Sequence, residues 1–305
     1  MAFTTTSNYA GKAAGFYISA ALNQANSLEF LTMLENIKFK SNIQKMAGSD
    51  LIKDASCDYS SKGTLALTEN VLTPKNLQIN LDLCKSTLLD SWEADQMRAG
   101  AGAPPPAAFD DYVISYMGEI IANGVEGSVW SGTGASNGQF EGFLTATTGA
   151  FAVDGTVNTS AASAAYTAAN IILNLQTLTA DMATDISAVL RKEDLHIYMS
   201  PKTYALYVSA ISTLGYVNAY NMNGDYVPVF EGYKIAVCNG MPNDQLVAAE
   251  KSNLFFGTDL ISDTAGPSIS LLDMSDRDGS DNMRLVARYS GGVQLGIGAD
   301  IVHQS

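Results

Sequence analysis

Three consecutive prolines, Pro104, Pro105 and Pro106, open the stretch that most limits how this chain can fold. Proline lacks an amide proton and has a fixed φ, so it suits a helix entrance and not a helix interior. Asp110 and Asp111 follow, placing negative charge near the positive end of the helix dipole. Apolar residues then recur at Phe109, Tyr112, Val113, Tyr116, Met117, Ile120, Ile121 and Val125, with Asp111, Ser115, Glu119, Asn123 and Glu126 between them. That spacing predicts a helix with one dry face from about Ala107 to about Trp130. The run from Ser131 to Gly142 contains Gly132, Gly134, Gly138 and Gly142, which ends the helix in a glycine loop. A helix of that length is a strut, and the rest of the chain is read as attached to it.

Away from this strut the pattern is mixed. Residues 1 to about 25 are small and polar and read as an extended arm. A short helix is expected from Ser27, with Ser27 as cap and Leu28, Leu31, Leu34 and Ile37 on one side. Turn residues occupy 48–70, and from Val71 to Cys84 the side chains Leu77, Ile79, Leu81 and Leu83 alternate with Gln78, Asn80 and Asp82. Such alternation predicts a strand with one wet face, and the whole region reads as a projecting two-stranded loop. An isolated hairpin is marginal in water, so this one implies a partner.

Beyond the glycine loop a second helix is expected from about Ala162 to Leu178, with Tyr166, Ala169, Ile172 and Leu173 inward. A strand at Leu195–Met199 leads to Ser200 and Pro201, the cap and first residue of a helix that Gly215 stops. The last third is mostly strand: Glu231–Cys238 before an Asn239-Gly240 turn, then Leu246–Ala249, Asn253–Gly257, Ile269–Met274, Met283–Tyr289 and Val293–Ile301. The fold class is therefore α+β.

Composition narrows the function. The chain of 305 residues is 47% hydrophobic and 16% charged, and its 17 basic and 31 acidic residues give a net charge of −14. Such a surface has no general attraction for a phosphate backbone and expects cover from something else. No secretory leader or membrane-spanning run is legible, so the protein is expected to be made in the cytoplasm and to have no membrane partner. Cys57, Cys84 and Cys238 are widely spaced, which excludes a disulfide framework or zinc site; they are expected to be reduced and mostly buried.

Gly134-Ala-Ser-Asn-Gly138 has the lettering of a hydrolase nucleophile elbow, with Ser136 ahead of several aspartates and His303. The elbow needs a strand before its serine and a helix after it, and here the order is helix then loop. Asp273, Asp276, Asp278 and Asp281 around Gly279 look like a calcium loop, but Met274 and Leu285 then fall where the first and last ligands belong. A solvated turn between two strands is the better reading. His196 reads as a hydrogen-bonded structural histidine, and Tyr204, Tyr207, Tyr216, Tyr220 and Tyr226 as core or subunit contacts. No catalytic, cofactor or metal residues are assigned.

Three stretches resemble the major capsid proteins of tailed bacteriophages with the Hong Kong 97 fold. Trp130-Ser-Gly-Thr-Gly with Phe140-Glu-Gly-Phe-Leu144 is similar to the end of that family's spine helix and the turn after it. Tyr198-Met-Ser-Pro-Lys-Thr-Tyr-Ala-Leu206 looks like its strand, cap and axial helix. Phe230–Met241, Asn253–Gly257 and Met283–Arg288 resemble its late strands. The resemblance implies an N-terminal arm at 1–47, an extended loop at 48–86, a peripheral domain with the spine helix at 87–149, an axial domain at 150–265 and return strands at 266–305. It implies a non-enzymatic subunit of an icosahedral virion shell, self-assembled in pentamers and hexamers around double-stranded DNA, with portal, scaffolding and decoration proteins as partners. Many members carry a scaffolding segment ahead of the arm; here the arm begins near Met1, which implies a mature form or a separate scaffolding protein. Lys62 and Lys75 lie on the loop without a legible buried carboxylate, so no covalent cross-link is predicted. An encapsulin-type nanocompartment shell shares the fold and is the nearest alternative; a serine hydrolase using Ser136 and His303 is the alternative of another class.

Overall fold

The computed structural model describes residues 26–49, 51–84, 107–135, 138–161, 165–213, 228–259, 269–274, 277 and 279–305. The strut helix α1 spans Ala107–Ser131, close to the expected bounds, and at 25 residues is about 37 Å long. Its proline entrance lies outside the described residues. Four strands precede it: β1 (Thr32–Leu34), β2 (Ser41–Ser49), β3 (Thr64–Leu72) and β4 (Lys75–Cys84). After it come α2 (Ala150–Asp154), β5 (Asn158–Ser160), α3 (Ile171–Asp185), β6 (Leu195–Met199) and α4 (Pro201–Thr213). The remainder is strand: β7 (Val229–Phe230), β8 (Tyr233–Val237), β9 (Leu246–Glu250), β10 (Leu254–Gly257), β11 (Ile269–Asp273), β12 (Asn282–Leu295) and β13 (Val302–Gln304).

The chain forms two compact units. One comprises Met1–Leu22, Asn76–Ala122 and Ser262–Tyr289; the other comprises Asn23–Lys75, Asn123–Ile261 and Ser290–Ser305. In the first, β11 pairs antiparallel with β12, Ile269 opposite Ala287 and Asp273 opposite Met283, and β4 also pairs with β12. The acidic turn joins β11 to β12 as a hairpin connection, with the Met274 N–H donating to the Asn282 carbonyl at 3.0 Å.

The larger unit holds a six-stranded sheet in the order β5-β13-β9-β6-β8-β7. Burial of all five residues of β9 and four of five in β6 marks a sheet interior covered on its faces. Helix α3 lays Ile171, Leu175, Leu178 and Met182 into this core beside Tyr207 and Ala210 of α4 and Ile197, Met199, Leu246, Ala248 and Val302 of the sheet. Strand β6 has the expected bounds, and the Ser200 Oγ caps α4 by accepting from the Thr203 N–H at 3.2 Å. Gly215 lies outside the described residues.

Several expectations need correction. The helix expected from Ser27 is one 3-10 turn, Asn26–Phe30, followed by β1, which pairs parallel with β10. Leu31 and Ile37 are buried as expected, so the apolar positions were right and the periodicity wrong. The second helix begins at Ile171, with Ala169 exposed ahead of it and Leu173 facing out of it. Gly291 and Gly292 do not separate two late strands, because both continue inside β12. Cys57 and Cys84 are exposed; only Cys238 is buried, and burial pushes its thiol up to about 12.

Candidate assembly surface

The two-stranded loop exists, but it is built from different strands than expected. Its partners are β2 and β3, in antiparallel register from Ser41 opposite Leu72 to Ser49 opposite Thr64. Strand β4, which carries the alternation at 77–83, belongs with β12 instead. Proline at 74 lies between β3 and β4. Each hairpin strand is nine residues, about 30 Å, and residues 51–63 form its tip.

Alternation gives the hairpin two faces. On one lie Lys45 and Asn70, and both meet Asp154 of α2: Lys45 Nζ stands 3.5 Å from Oδ2, and Asn70 Nδ2 donates to it at 3.1 Å. Asn70 Nδ2 also lies within bonding distance of the Leu295 and Gly296 carbonyls, at 3.0 and 3.1 Å. Burial works to raise the Asp154 carboxyl, but bonds from Thr156 and Asn70 and the Lys45 charge outweigh it and hold it below its usual range. This face is the latched root.

The opposite face has no cover. Met46 is 66% exposed, Leu65 63% and Leu67 62%, and all three stand on the same side by register, with Val71 nearer the root. Leu51 folds back toward Gly48 and Leu65, so a Cβ at 48 would meet Leu51 Cδ1 at 2.9 Å. Ile52 and Tyr59 project from the tip, Tyr59 at 97% exposure. Full burial of one such side chain is worth about 1.5–3 kcal/mol, so a contiguous row left in water marks a contact surface.

Beside the root, Lys75 organises the glycine loop. Its Nζ donates to the carbonyls of Gly134 at 2.6 Å, Gln139 at 3.0 Å and Ala135 at 3.2 Å. An ammonium has three protons, and all three find carbonyl acceptors. Gly134 takes φ +64° there, where the Cβ of another residue would be strained. Lys62 is spent on the tip, donating to the Ile52 carbonyl at 3.1 Å.

Of the candidate catalytic groups, His303 is described and Ser136 is not. Asp276, Asp278, Tyr216, Tyr220 and Tyr226 also lie outside the described residues. His303 sits in β13 with its ring edge-on to Phe151 and its Nε2 buried without a hydrogen-bond partner, beside a cavity of about 310 Å³. Burial holds it below the usual histidine range. His196 is structural: its Nδ1 lies 2.7 Å from the Asp194 carbonyl, and burial lowers it despite that bond. Tyr207 is core and Tyr204 packs against it. Among the described residues there is no group of three His, Cys, Asp or Glu placed to hold a metal, and no helix long and apolar enough to cross a membrane.

Sequence reasoning missed Glu126. The apolar spacing puts it on the wet side of α1, yet it is fully buried, with Val125, Ser128, Val129 and Trp130 buried around it. The last turn of the strut is dry on nearly every side.

Residues 105–265 match the model of the phage capsid family. No curated protein matches the sequence. Among solved structures, the capsid of Myoviridae phage XM1 superposes with a TM-score of 0.63 at 11% identity, covering 99% of this chain and 98% of that one. The capsid of cyanophage A-1(L) gives 0.61 at 14% identity, covering 99% and 98%. The capsid of an empty GTA particle gives 0.61 at 14% identity, covering 99% and 94%.

Proposed function

This chain belongs to the phage capsid family, a major capsid protein and not an enzyme, and on that premise we propose how its copies close the shell: the open face of β2–β3 lies against an adjacent copy. Self-assembly into a virion shell is the family's work. The finer reading is an icosahedral head of pentamers and hexamers enclosing double-stranded DNA, assembled in the host cytoplasm with portal, scaffolding and decoration proteins. In that reading residues 1–47 are the arm, 48–86 the extended loop, 87–149 the peripheral domain, 150–265 the axial domain and 266–305 the return strands. The hairpin strands at 41–49 and 64–72 move the root of the loop back to about residue 41.

The observation that carries this reading is the apolar row Met46, Leu65 and Leu67 on a hairpin latched at its root. Charge supports it. Residues 38–75 hold six basic and four acidic residues, leaving 11 basic and 27 acidic elsewhere. The hairpin and the chain that flanks it are thus far less acidic than the rest, so a second copy repels this region less than it would repel the remaining surface, and salt weakens that difference. The same acidity on an inner wall repels packaged DNA and lets it slide during filling.

Electron microscopy of the purified protein over a range of concentration and salt tests the proposal. Closed shells, or sheets and tubes of hexamers, are expected from the wild type, and Leu65→Ser/Leu67→Ser is expected to stay as folded, unassembled subunits. Wild-type shells formed equally well by the double variant would remove the hairpin from the contact. Double-stranded DNA in particles from infected cells is the expected content; a single cargo protein would instead favour a nanocompartment. Tight, salt-dependent DNA binding by free subunits would contradict the sliding wall.

A further inference from the structure

A single 3-10 turn is too short to hold its own shape, and Asn26–Phe30 is held from outside. Asn26 Nδ2 donates to the Val237 carbonyl at 2.7 Å, and its Oδ1 accepts from the Asn239 N–H at 3.0 Å. The Ser27 N–H donates to Glu126 Oε2 at 3.1 Å, and the Ser27 hydroxyl to Glu126 Oε1. Trp130 Nε1–H donates to Ser27 Oγ at 2.8 Å, and the Tyr198 hydroxyl to the Phe30 carbonyl at 2.8 Å. The nearest of these partners is 99 residues away in sequence.

The bonds have a fixed direction. Ser27 Oγ accepts from Trp130, so its own proton goes to Glu126. Gly240 adds its N–H to Glu126 Oε1 at 2.8 Å. Glu126 thus faces three donors, none of them cationic, at 0% exposure. Removing a donor from a buried carboxyl group leaves its oxygen unsatisfied, so each of these bonds matters to the seat of the turn. Gly240 fits for a specific reason: a Cβ there would overlap the Glu126 carbonyl on α1. The Asn239-Gly240 pair that reads in the sequence as a turn is also one wall of the socket.

We propose that Glu126 is a positioning residue for assembly: its carboxylate is an anionic socket that seats the Ser27 turn and so fixes the direction in which the chain ahead of Asn26 leaves the subunit. This rests on the reading of the protein as a shell subunit. The turn lies in no strand, so opening the socket frees it without taking the six-stranded sheet apart. What changes is the placement of the Asn26–Phe30 turn, from which the segment read as the arm continues.

The test uses the full chain with Trp92→Phe, so that Trp130 is the one indole, and compares Ser27→Ala, Glu126→Gln and Ser27→Thr. Glu126→Gln turns an amide NH₂ toward donors, and Ser27→Ala removes the central hydroxyl while leaving its backbone bond. Both are expected to shift Trp130 emission to the red, raise the protease cleavage rate at residues 26–31 about tenfold or more, and cut closed-shell yield about tenfold. Their thermal melting is expected to stay within a few degrees of the parent. Ser27→Thr keeps the hydroxyl and is expected to restore all three readouts. Parent-like shell yield from Ser27→Ala, with the cleavage rate raised, would overturn the positioning role. An unchanged cleavage rate in both variants would overturn the socket itself. A parent that forms no shells counts against the capsid reading, while emission and cleavage still decide the socket.

Discussion

The β2–β3 hairpin and the six-stranded sheet both alternate their side chains, yet only the sheet finishes its core within one chain. In the sheet, Ile197 and Met199 of β6 share one buried cluster with Leu175, Leu178 and Met182 of α3. In the hairpin, Met46, Leu65 and Leu67 form an apolar row on the outer face with nothing over them. The difference teaches where this protein stores the energy of folding and where it keeps the energy of association. A buried row stabilises the subunit; an exposed one is reserved for another copy.

That contrast is open to direct attack. The largest effect belongs to the sheet core: Leu178→Ala should lose about 2–5 kcal/mol of stability, read by denaturant unfolding, because the fully buried site cannot collapse around the cavity. Next comes Leu67→Ser, which should change subunit stability by no more than about 0.5 kcal/mol while abolishing shells in the electron microscope. A hairpin variant that unfolds the subunit, or a core variant that leaves it intact, would erase the distinction.

A smaller effect is expected at the latched root. Asp154→Asn should loosen the hairpin by about 1 kcal/mol, seen as faster amide exchange in β2 and β3 with no change in β6 or β9. The sign of its pH dependence follows from the lowered carboxyl. A group depressed on folding contributes stability above its unfolded value near 3.8 and loses it as pH falls through the folded one. Protection of the wild-type hairpin amides, relative to their intrinsic exchange rates, should therefore fall in acid below about pH 4, and the Asn variant should lack that fall. The least effect is expected at Lys62→Ala, which gives up one exposed bond to the Ile52 carbonyl and should leave melting within about 0.5 kcal/mol of the wild type.

Legibility followed the range of the forces involved. Helix α1, strand β6 and the Ser200 cap were readable because proline, glycine and serine act on their immediate neighbours. The hairpin was half-readable. Leu65, Leu67 and Val71 do alternate, but Gly48-Ser-Asp and Ser60-Ser-Lys-Gly63 mark the stretch 48–70 as turn chemistry. The clearer alternation at 77–83 drew the strand to β4. Glu126 was not readable at all. Its burial is set by Ser27, 99 residues before it, and Gly240, 114 after it, and no local pattern carries that information. The short helix expected at Ser27 failed for the same reason, since distant partners hold the turn and then draw the chain into β1.

The measurement that tests the account most directly is a cryo-electron microscopy map of the assembled shell at side-chain resolution. The account predicts Met46, Leu65 and Leu67 packed against an adjacent subunit, with the Lys45–Asp154 root intact in each copy. A shell in which that row faces solvent, with subunits joined elsewhere, would contradict it.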